Sequence, residues 1–403
     1  MTNIRLTSTF FLILIIVSLA IAPAFALGEG NRNLLLIGVM LLSPIVLLKS
    51  QFLFRLDLLL LLFLLSIVFA PMLNHPESFR WSTVLYSTMF GLTFLAYEQL
   101  LYRNAFSLEN YEKLLRYLIY AYFIVLVIQQ ISVMTGLPIF NISNYDPTEP
   151  WKLNSLSAEP SHSARIVALL MYCYITIKEL VVDRKYSFNL DFKNDKWIWI
   201  AFLWTMTTMG SGTAFVFIAI ILLKFMKPKS VFPLLVLVAI IFFIINLLGE
   251  NSIDRSMKFL IAVLSFDEKT IMLADHSASL RVIPMMILAK MSSITTIDGW
   301  FGHGIDYVST FLYQRIAGVP KGFSGGGLLQ LWIEYGFLSF SLFIIFSFLT
   351  IYRKGDYISI IFWFMLVFMY SINSQILWLT VSLLYTNKYF FTKNNQLNKD
   401  ITQ

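Results

Sequence analysis

Apolar residues fall in long runs along the chain rather than in the short alternating patterns of half-buried strands. A transmembrane helix needs roughly 20 predominantly apolar residues to cross about 30 Å of hydrocarbon. Runs approaching that length recur from residue 9 to residue 386. The pattern predicts an all-α fold, a polytopic membrane bundle of about twelve transmembrane helices. The predicted spans are 9–26, 34–48, 56–73, 81–101, 116–134, 157–177, 197–209, 212–226, 231–248, 328–350, 357–371 and 374–386.

The composition supports a membrane protein. Hydrophobic residues make up 58% of the chain and charged residues 13%, against about 25% charged in soluble domains. We therefore expect residues 1–403 to form one membrane domain. Its first run, between Arg5 and Ala26, imitates a cleavable signal peptide, but many spans follow, so we expect it to be retained as the first helix. The single cysteine, Cys173, excludes an intrachain disulfide and a cysteine-cluster metal site.

The basic residues predict the orientation of the chain, because positively charged loops stay cytoplasmic. Nineteen of the 30 lysines and arginines fall in alternate connections, which become cytoplasmic if the N-terminus does. This arrangement makes both termini cytoplasmic and requires an even number of spans. It also accounts for most of the net charge of +7 without a nucleic-acid partner.

One long predicted external segment, residues 249–327, departs from this rule. It carries seven basic residues, and two stretches in it, 253–264 and 280–291, have the apolar spacing of amphipathic helices. Such helices lie in the headgroup layer or roof a cavity in the bundle. Long loops in compact proteins are usually functional. The segment is therefore a candidate part of an external site.

A second candidate lies at the predicted external start of the sixth helix. Glu159, His162, Ser163 and Arg165 fall within two helical turns there. Ionisable residues in or beside a membrane span are functional candidates, because burying them in hydrocarbon is costly. A structural alternative is equally open: Ser157 caps the helix, and Glu159 complements the helix dipole.

Four strings along the chain are distinctive. The first is the Ser-x-Glu-Pro-Ser string that opens the sixth helix. Others are the Ser-rich arginine segment 277–281, the Gly-x-Gly turn at 301–304, and the glycine run 325–327 followed by 331–336. Together they resemble motifs of the O-antigen polymerase and ligase superfamily, which acts on lipid-linked oligosaccharide repeat units in the bacterial inner membrane. The motifs cover only residues 157–165 and 277–336. A histidine that family members often carry near 324–326 is absent, which counts against the ligase branch, and an arginine is absent from the turn 210–213.

The resemblance implies a polymerase that needs neither metal nor cofactor. It would transfer a growing glycan from a polyprenyl diphosphate carrier onto an incoming lipid-linked repeat unit on the periplasmic face. Arginine suits the diphosphate, because its planar fork pairs with phosphate oxygens. The expected catalytic residues are Glu159, Arg281 and His303, with Glu159 or His303 as the base. The expected residues for diphosphate and glycan binding are Arg165, His162, Arg315 and Lys321.

Each assignment has a structural alternative. Arg281 is also suited to snorkelling towards lipid phosphate, and His303 to a simple turn between two glycines. The four histidines are scattered and no Asp-x-Asp motif occurs, so we expect no metal site. The expected partners are the lipid-linked oligosaccharide, membrane lipids and, as a candidate, a chain-length regulator. An O-antigen ligase and a transporter or flippase are the alternative functions.

Overall fold

The computed structural model describes residues 2–27, 32–48, 55–103, 106–142, 145–225, 261–274, 276–316, 322–323 and 325–402. Over these ranges the chain is helical and contains no strand. The helices are α1 (Thr2–Ala20), α2 (Leu34–Leu47), α3 (Arg55–Asn74), α4 (Trp81–Tyr102), α5 (Leu108–Thr135), α6 (Pro160–Val181), α7 (Phe188–Thr208), α8 (Gly212–Leu223), α9 (Glu268–Ala274), α10 (His276–Met291), α11 (Ile297–Phe301), α12 (Tyr307–Arg315), α13 (Leu328–Ile351), α14 (Tyr357–Trp363) and α15 (Gln375–Thr402).

The predicted all-α fold is confirmed. Three of the described helices, α3, α5 and α13, are long and apolar enough to cross a membrane. Five shorter apolar helical stretches accompany them: Ser8–Ala20, Leu34–Leu47, Gly212–Leu223, Val282–Met291 and Tyr357–Phe368. Every predicted apolar run falls on a helix except 231–248, which lies outside the described residues. The two final runs are separated by a break at 369–374, which follows a π-helical turn at Phe364–Phe368.

Local sequence explains several helix ends. Asn33 caps α2 by accepting a 3.1 Å hydrogen bond from the backbone N–H of Leu36. Ser107 caps α5 in the same way, with 3.2 Å to the N–H of Asn110. Gly136 then ends α5 in the left-handed conformation, which glycine adopts without strain.

Helices α5 and α6 run in opposite directions, which defines two ends of the bundle. Near the end of α5, Gln129 donates to Asn154, just before α6 begins, at 3.2 Å. At the other end, Lys178 of α6 lies 3.7 Å from Glu112 in the first turns of α5. We call these the loop end, where α6 begins, and the basic end, where Lys178 lies.

Helix α6 occupies the centre of the main core. It packs against α5, α8 and α15, and every residue from 166 to 177 is buried. Tyr97, Trp199, Trp378 and Phe343 are among the largest fully buried side chains of this core. Helix α6 is therefore an interior helix and not a surface one. Its packing inside the bundle also fixes the position of its first turns.

Part of the long loop forms a separate small core, which we call the cap (residues 261–274 and 276–316). Ile271, Ile283, Leu288 and Leu312 are buried in it, together with Ile333 of α13. The predicted helix 280–291 lies within α10 and is confirmed. Most of the other predicted helix, residues 253–260, lies outside the described residues. Because α10, α11 and α12 all contact α13, the cap rests on the first turns of that helix.

Candidate functional site

Hydroxyl hydrogen bonds hold the segment that leads into α6. Ser157 Oγ lies 2.8 Å from Ser163 Oγ and donates to the backbone oxygen of Glu159, also at 2.8 Å. Glu159 occupies the N-cap position, with Pro160 next, but its side chain makes no capping hydrogen bond. The alternative in which Ser157 caps α6 is therefore wrong. The Glu159 carboxylate instead stands half-exposed beside the positive end of the helix.

His162 and Arg165 share a face of α6, as their spacing predicts, and both meet Tyr370 in the break after α14. The His162 ring centroid lies 6.4 Å from that of Tyr370, edge to face. The guanidinium carbon of Arg165 lies 5.4 Å from the same ring centroid. His162 Nε2 also lies 3.9 Å from Glu159 Oε2. A carboxylate, an imidazole and a guanidinium thus follow one another across the start of α6.

Two glycines fasten the turn after α11 to a kink in α13. Gly302 has a φ of +89°, and a Cβ there would overlap the backbone oxygen of Glu334. Conversely, Gly336 has a φ of +85°, and its Cβ would overlap the backbone oxygen of Trp300. Glycine alone tolerates both the conformation and the close approach. The Gly-x-Gly turn and the 331–336 motif, some thirty residues apart in sequence, therefore meet backbone to backbone.

This docking places His303 against α13. Its backbone N–H donates to the oxygen of Ile333 at 2.8 Å, and its ring stacks on Tyr307 with centroids 4.8 Å apart. His303 Nδ1 lies 3.6 Å from Asp298 Oδ2. Burial of the ring lowers the pKa of His303 below 6.5, despite the neighbouring carboxylate. The imidazole is therefore mainly neutral at pH 7.

Asp298 also connects the cap to the end of α3. It accepts hydrogen bonds from Asn74 Nδ2 at 2.9 Å and His75 Nε2 at 3.2 Å, and Asn74 donates to the oxygen of Gly302 at 2.7 Å. The bond from Asn74 contributes most to lowering the pKa of Asp298. Burial opposes protonation of His75, but hydrogen bonds to Glu77 and Asp298 raise its pKa overall. Asn74, His75 and Asp298 thus form a charged hydrogen-bond network, which we call the clasp, between the α3–α4 connection and the cap.

Glu334, near the start of α13, is a buried carboxyl with 3% of the residue exposed. Its Oε1 accepts from the backbone N–H of Val308 at 3.2 Å, and its Oε2 accepts from the side-chain amide of Gln330 at 3.2 Å. Val308 lies in the first turn of α12, where backbone N–H groups lack helical partners. The carboxyl is therefore held by neutral donors at the start of a helix that can cross a membrane.

A small cleft separates the first turns of α13 from the break at 369–374. The residues lining it are Gly327, Gln330, Leu331, Glu334, Tyr335, Ser371, Ile372 and Asn373. We call it the Glu334 cleft. Ser87 of α4 holds one wall by donating to Asn373 Oδ1 at 2.5 Å. Tyr370, which contacts the α6 start, and Ser371, which lines the cleft, are neighbours in the break at 369–374.

Of the other predicted site residues, Arg315 stands apart from this surface, and the positions of two side chains lie outside the described structure. Arg281 lies in the second turn of α10, and its side chain is outside the described part of the structure. Arg315 is exposed at the far end of α12, with its guanidinium carbon 5.8 Å from the ring centroid of Phe311. Lys321 is also outside the described residues. Among the described contacts, none joins Arg315 to α6.

The glycine run before α13 serves close packing. A Cβ on Gly327, whose φ is +60°, would overlap the backbone oxygen of Phe368. A Cβ on Gly326 would overlap the side chain of Leu288 in α10. The run thus brings α13 against both the break and the cap, and this close packing explains why glycine occupies these positions.

Within the described ranges, no group of three or more histidine, cysteine, aspartate or glutamate side chains is arranged to hold a metal ion. No protein-family model, curated protein or solved structure matches the chain.

Sequence reasoning did not assign a role to His75, Asp298 or Glu334. His75 and Asp298 are more than 200 residues apart, and no local pattern announces their contact. Glu334 carries a recognisable signal, since it is a lone carboxyl near the start of an apolar run. Its neighbours in the cleft come from the break at 369–374 and could be recognised only from the fold.

Proposed function

We propose that the protein is a membrane glycosyltransferase that polymerises a lipid-linked glycan. It transfers the growing glycan from a polyprenyl diphosphate carrier to a hydroxyl of an incoming lipid-linked repeat unit. In this proposal the chain crosses a bacterial inner membrane about twelve times, the loop end is periplasmic, and both termini are cytoplasmic. The observation that carries it is the row of Glu159, His162 and Arg165 across the start of α6.

The proposed chemistry needs mainly charge neutralisation and alignment, because diphosphate is already a good leaving group. Arg165 and Arg281 bind the diphosphate, with His162 and Lys321 contributing to diphosphate and glycan binding, whereas Arg315 at the far end of α12 is not part of this site. A general base assists the acceptor hydroxyl, and Glu159 and His303 are the candidates that the sequence offers. A cation over an aromatic ring contributes about 0.5–2 kcal/mol, so Tyr370 helps to hold the Arg165 guanidinium in place.

The charge distribution supports the proposed orientation. Lys178, Arg184, Lys224 and Arg353 all lie in ion pairs at the basic end, with distances from 2.5 to 3.9 Å to their carboxylates. Basic residues concentrate on the cytoplasmic side of membrane proteins. The basic end is therefore the cytoplasmic side in the proposal, and the cap faces the compartment where lipid-linked units are polymerised.

The test is deletion of the gene in its native host, with surface glycan resolved by chain length on a gel. A polymerase predicts accumulation of single repeat units. Loss of all ligated glycan would indicate the ligase alternative, and an unchanged glycan profile would refute both. Arg165→Ala at unchanged protein level should reproduce the deletion, whereas Arg32→Ala, which removes another loop-end arginine near an aromatic ring, should leave polymer intact.

A transporter or flippase for lipid-linked glycans is the second candidate. Broken helices line the substrate sites of many transporters, and α13 and the chain after α14 are both interrupted. These interruptions lie near the loop end, at Gly336 and 369–374, rather than half-way along the helices. Accumulation of lipid-linked units on the cytoplasmic side of deletion membranes would favour the transporter over the polymerase.

A further inference from the structure

The Glu334 carboxyl has no basic partner in the described structure, a property it shares with Glu98, whose carboxyl accepts from Tyr385. Glu112 and Asp191 pair with Arg116 and Arg184 at 2.7 and 2.5 Å. Glu334 instead has the Val308 N–H and the Gln330 amide as its hydrogen-bond donors. Burial of an acid without a countercharge is expensive in a helix of this kind and is characteristic of functional positions.

The cleft beside it is lined with groups that recognise hydroxyls. Ser371, Asn373 and Tyr335 supply hydroxyl and amide groups, and Gln330 supplies a second amide. Gln330 Oε1 is buried and has no hydrogen-bond partner. A buried acceptor that is left unpaired is costly, so a ligand that donates a hydrogen bond there is bound more tightly. Sugar hydroxyls are such donors.

We propose that the Glu334 cleft receives the acceptor hydroxyl and that Glu334 is the general base, an inference that rests on the proposed polymerase function. The acceptor O–H bond breaks, and its proton moves to the Glu334 carboxylate. The acceptor oxygen forms a bond to the anomeric carbon of the donor, whose bond to diphosphate breaks. The electron pair of that bond leaves with the diphosphate, which Arg165 binds in the proposed function.

The position of Glu334 suits this role better than those of the other two candidate bases. Glu159 is half-exposed at the helix start, where water competes for its carboxylate. His303 is committed to docking, because its ring is stacked on Tyr307 and its backbone N–H is bonded to Ile333. Glu334 is shielded from water and opens onto the cleft, so a hydroxyl that reaches it is held at a fixed place.

The first test compares Glu334→Gln with wild type and with the deletion in the native host. The variant keeps the side-chain size; its amide oxygen can accept from Val308, and its NH₂ group can donate to the free oxygen of Gln330. General bases contribute about 100-fold or more to rate. We therefore expect polymer to fall by about that factor and single repeats to accumulate, at unchanged protein level. Glu149→Gln, at an exposed loop-end acid paired with Lys152, is the control and should keep polymer.

The outcomes separate this inference from the proposed function. If the deletion leaves the glycan unchanged, the polymerase proposal itself is refuted. If the deletion abolishes polymer but Glu334→Gln retains it, the polymerase proposal stands and the role of Glu334 is refuted.

The second test is chemical rescue, which a purely structural role would not permit. Membranes of a Glu334→Ala strain, containing their own lipid-linked repeat units, are incubated with formate or with chloride at equal ionic strength. Formate can occupy the space of the missing carboxyl and accept the proton. We expect formate alone to restore chain elongation; failure of formate to restore it would overturn the assignment.

Discussion

Replacing Gly302 by alanine tests whether backbone contact docks the cap on α13. The substitution forces a side chain into a φ of +89°, which costs about 1–3 kcal/mol. The added Cβ also overlaps the backbone oxygen of Glu334, and overpacking of this kind costs about 1–3 kcal/mol more. The sum is about 2–6 kcal/mol. Since each 1.4 kcal/mol is a factor of ten, the docking equilibrium should weaken by about thirty-fold at least.

Hydrogen exchange of peptides from residues 297–316 measures this effect in purified protein in lipid nanodiscs. Two glycines provide matched controls: Gly136 has a φ of +71° with no atom within 4 Å of a built Cβ, and Gly38 has equally open space without a positive φ. We expect exchange in 297–316 to rise at least about thirty-fold in Gly302→Ala and to stay unchanged in Gly136→Ala and Gly38→Ala. Unchanged exchange in Gly302→Ala, or an equal rise in Gly136→Ala, would refute the docking argument.

Three further predictions follow from individual contacts. His75 has a raised pKa in the folded protein, so its contribution to cap docking is full below about pH 6.5 and is lost as pH rises through the folded value. In His75→Ala this contribution is absent, and the lowered pKa of His303 should dominate the pH dependence. Protease protection of the cap should then decrease as pH falls. A pH-independent protection profile would contradict this. Trp378→Ala removes a side chain that is 1% exposed in the main core and should lower the free energy of unfolding by about 3–5 kcal/mol, measured by denaturation in mixed micelles. Arg165→Lys keeps the charge but loses the planar fork, and polymer on the glycan gel should fall by about tenfold; full polymer would rule out paired phosphate binding.

The cap illustrates where prediction from sequence reached its limit. Apolar spacing indicated a helix at 280–291, and the structure contains it within α10. The same pattern carried no information on which face of the bundle the helix would meet. That depended on Gly326 and Gly327, whose missing side chains let α13 approach Leu288 and the backbone of Phe368.

The candidate site was predictable only in its local parts. The spacing of His162 and Arg165 placed them on one face of α6, because helical geometry repeats over three to four residues. Their common contact with Tyr370 joins positions about 200 residues apart and could not be inferred from spacing. The same holds for the clasp of His75 and Asp298.

Sequence alone determined that the chain is helical and apolar enough to cross a membrane, because both properties follow from local composition and periodicity. It also identified the α6 start and the Gly-x-Gly turn as unusual. Only the tertiary structure decided that Gly302 and Gly336 interlock and that Glu334 is buried beside the break at 369–374. Such contacts depend on where distant helices end and how closely their backbones approach, and a local pattern does not encode either quantity.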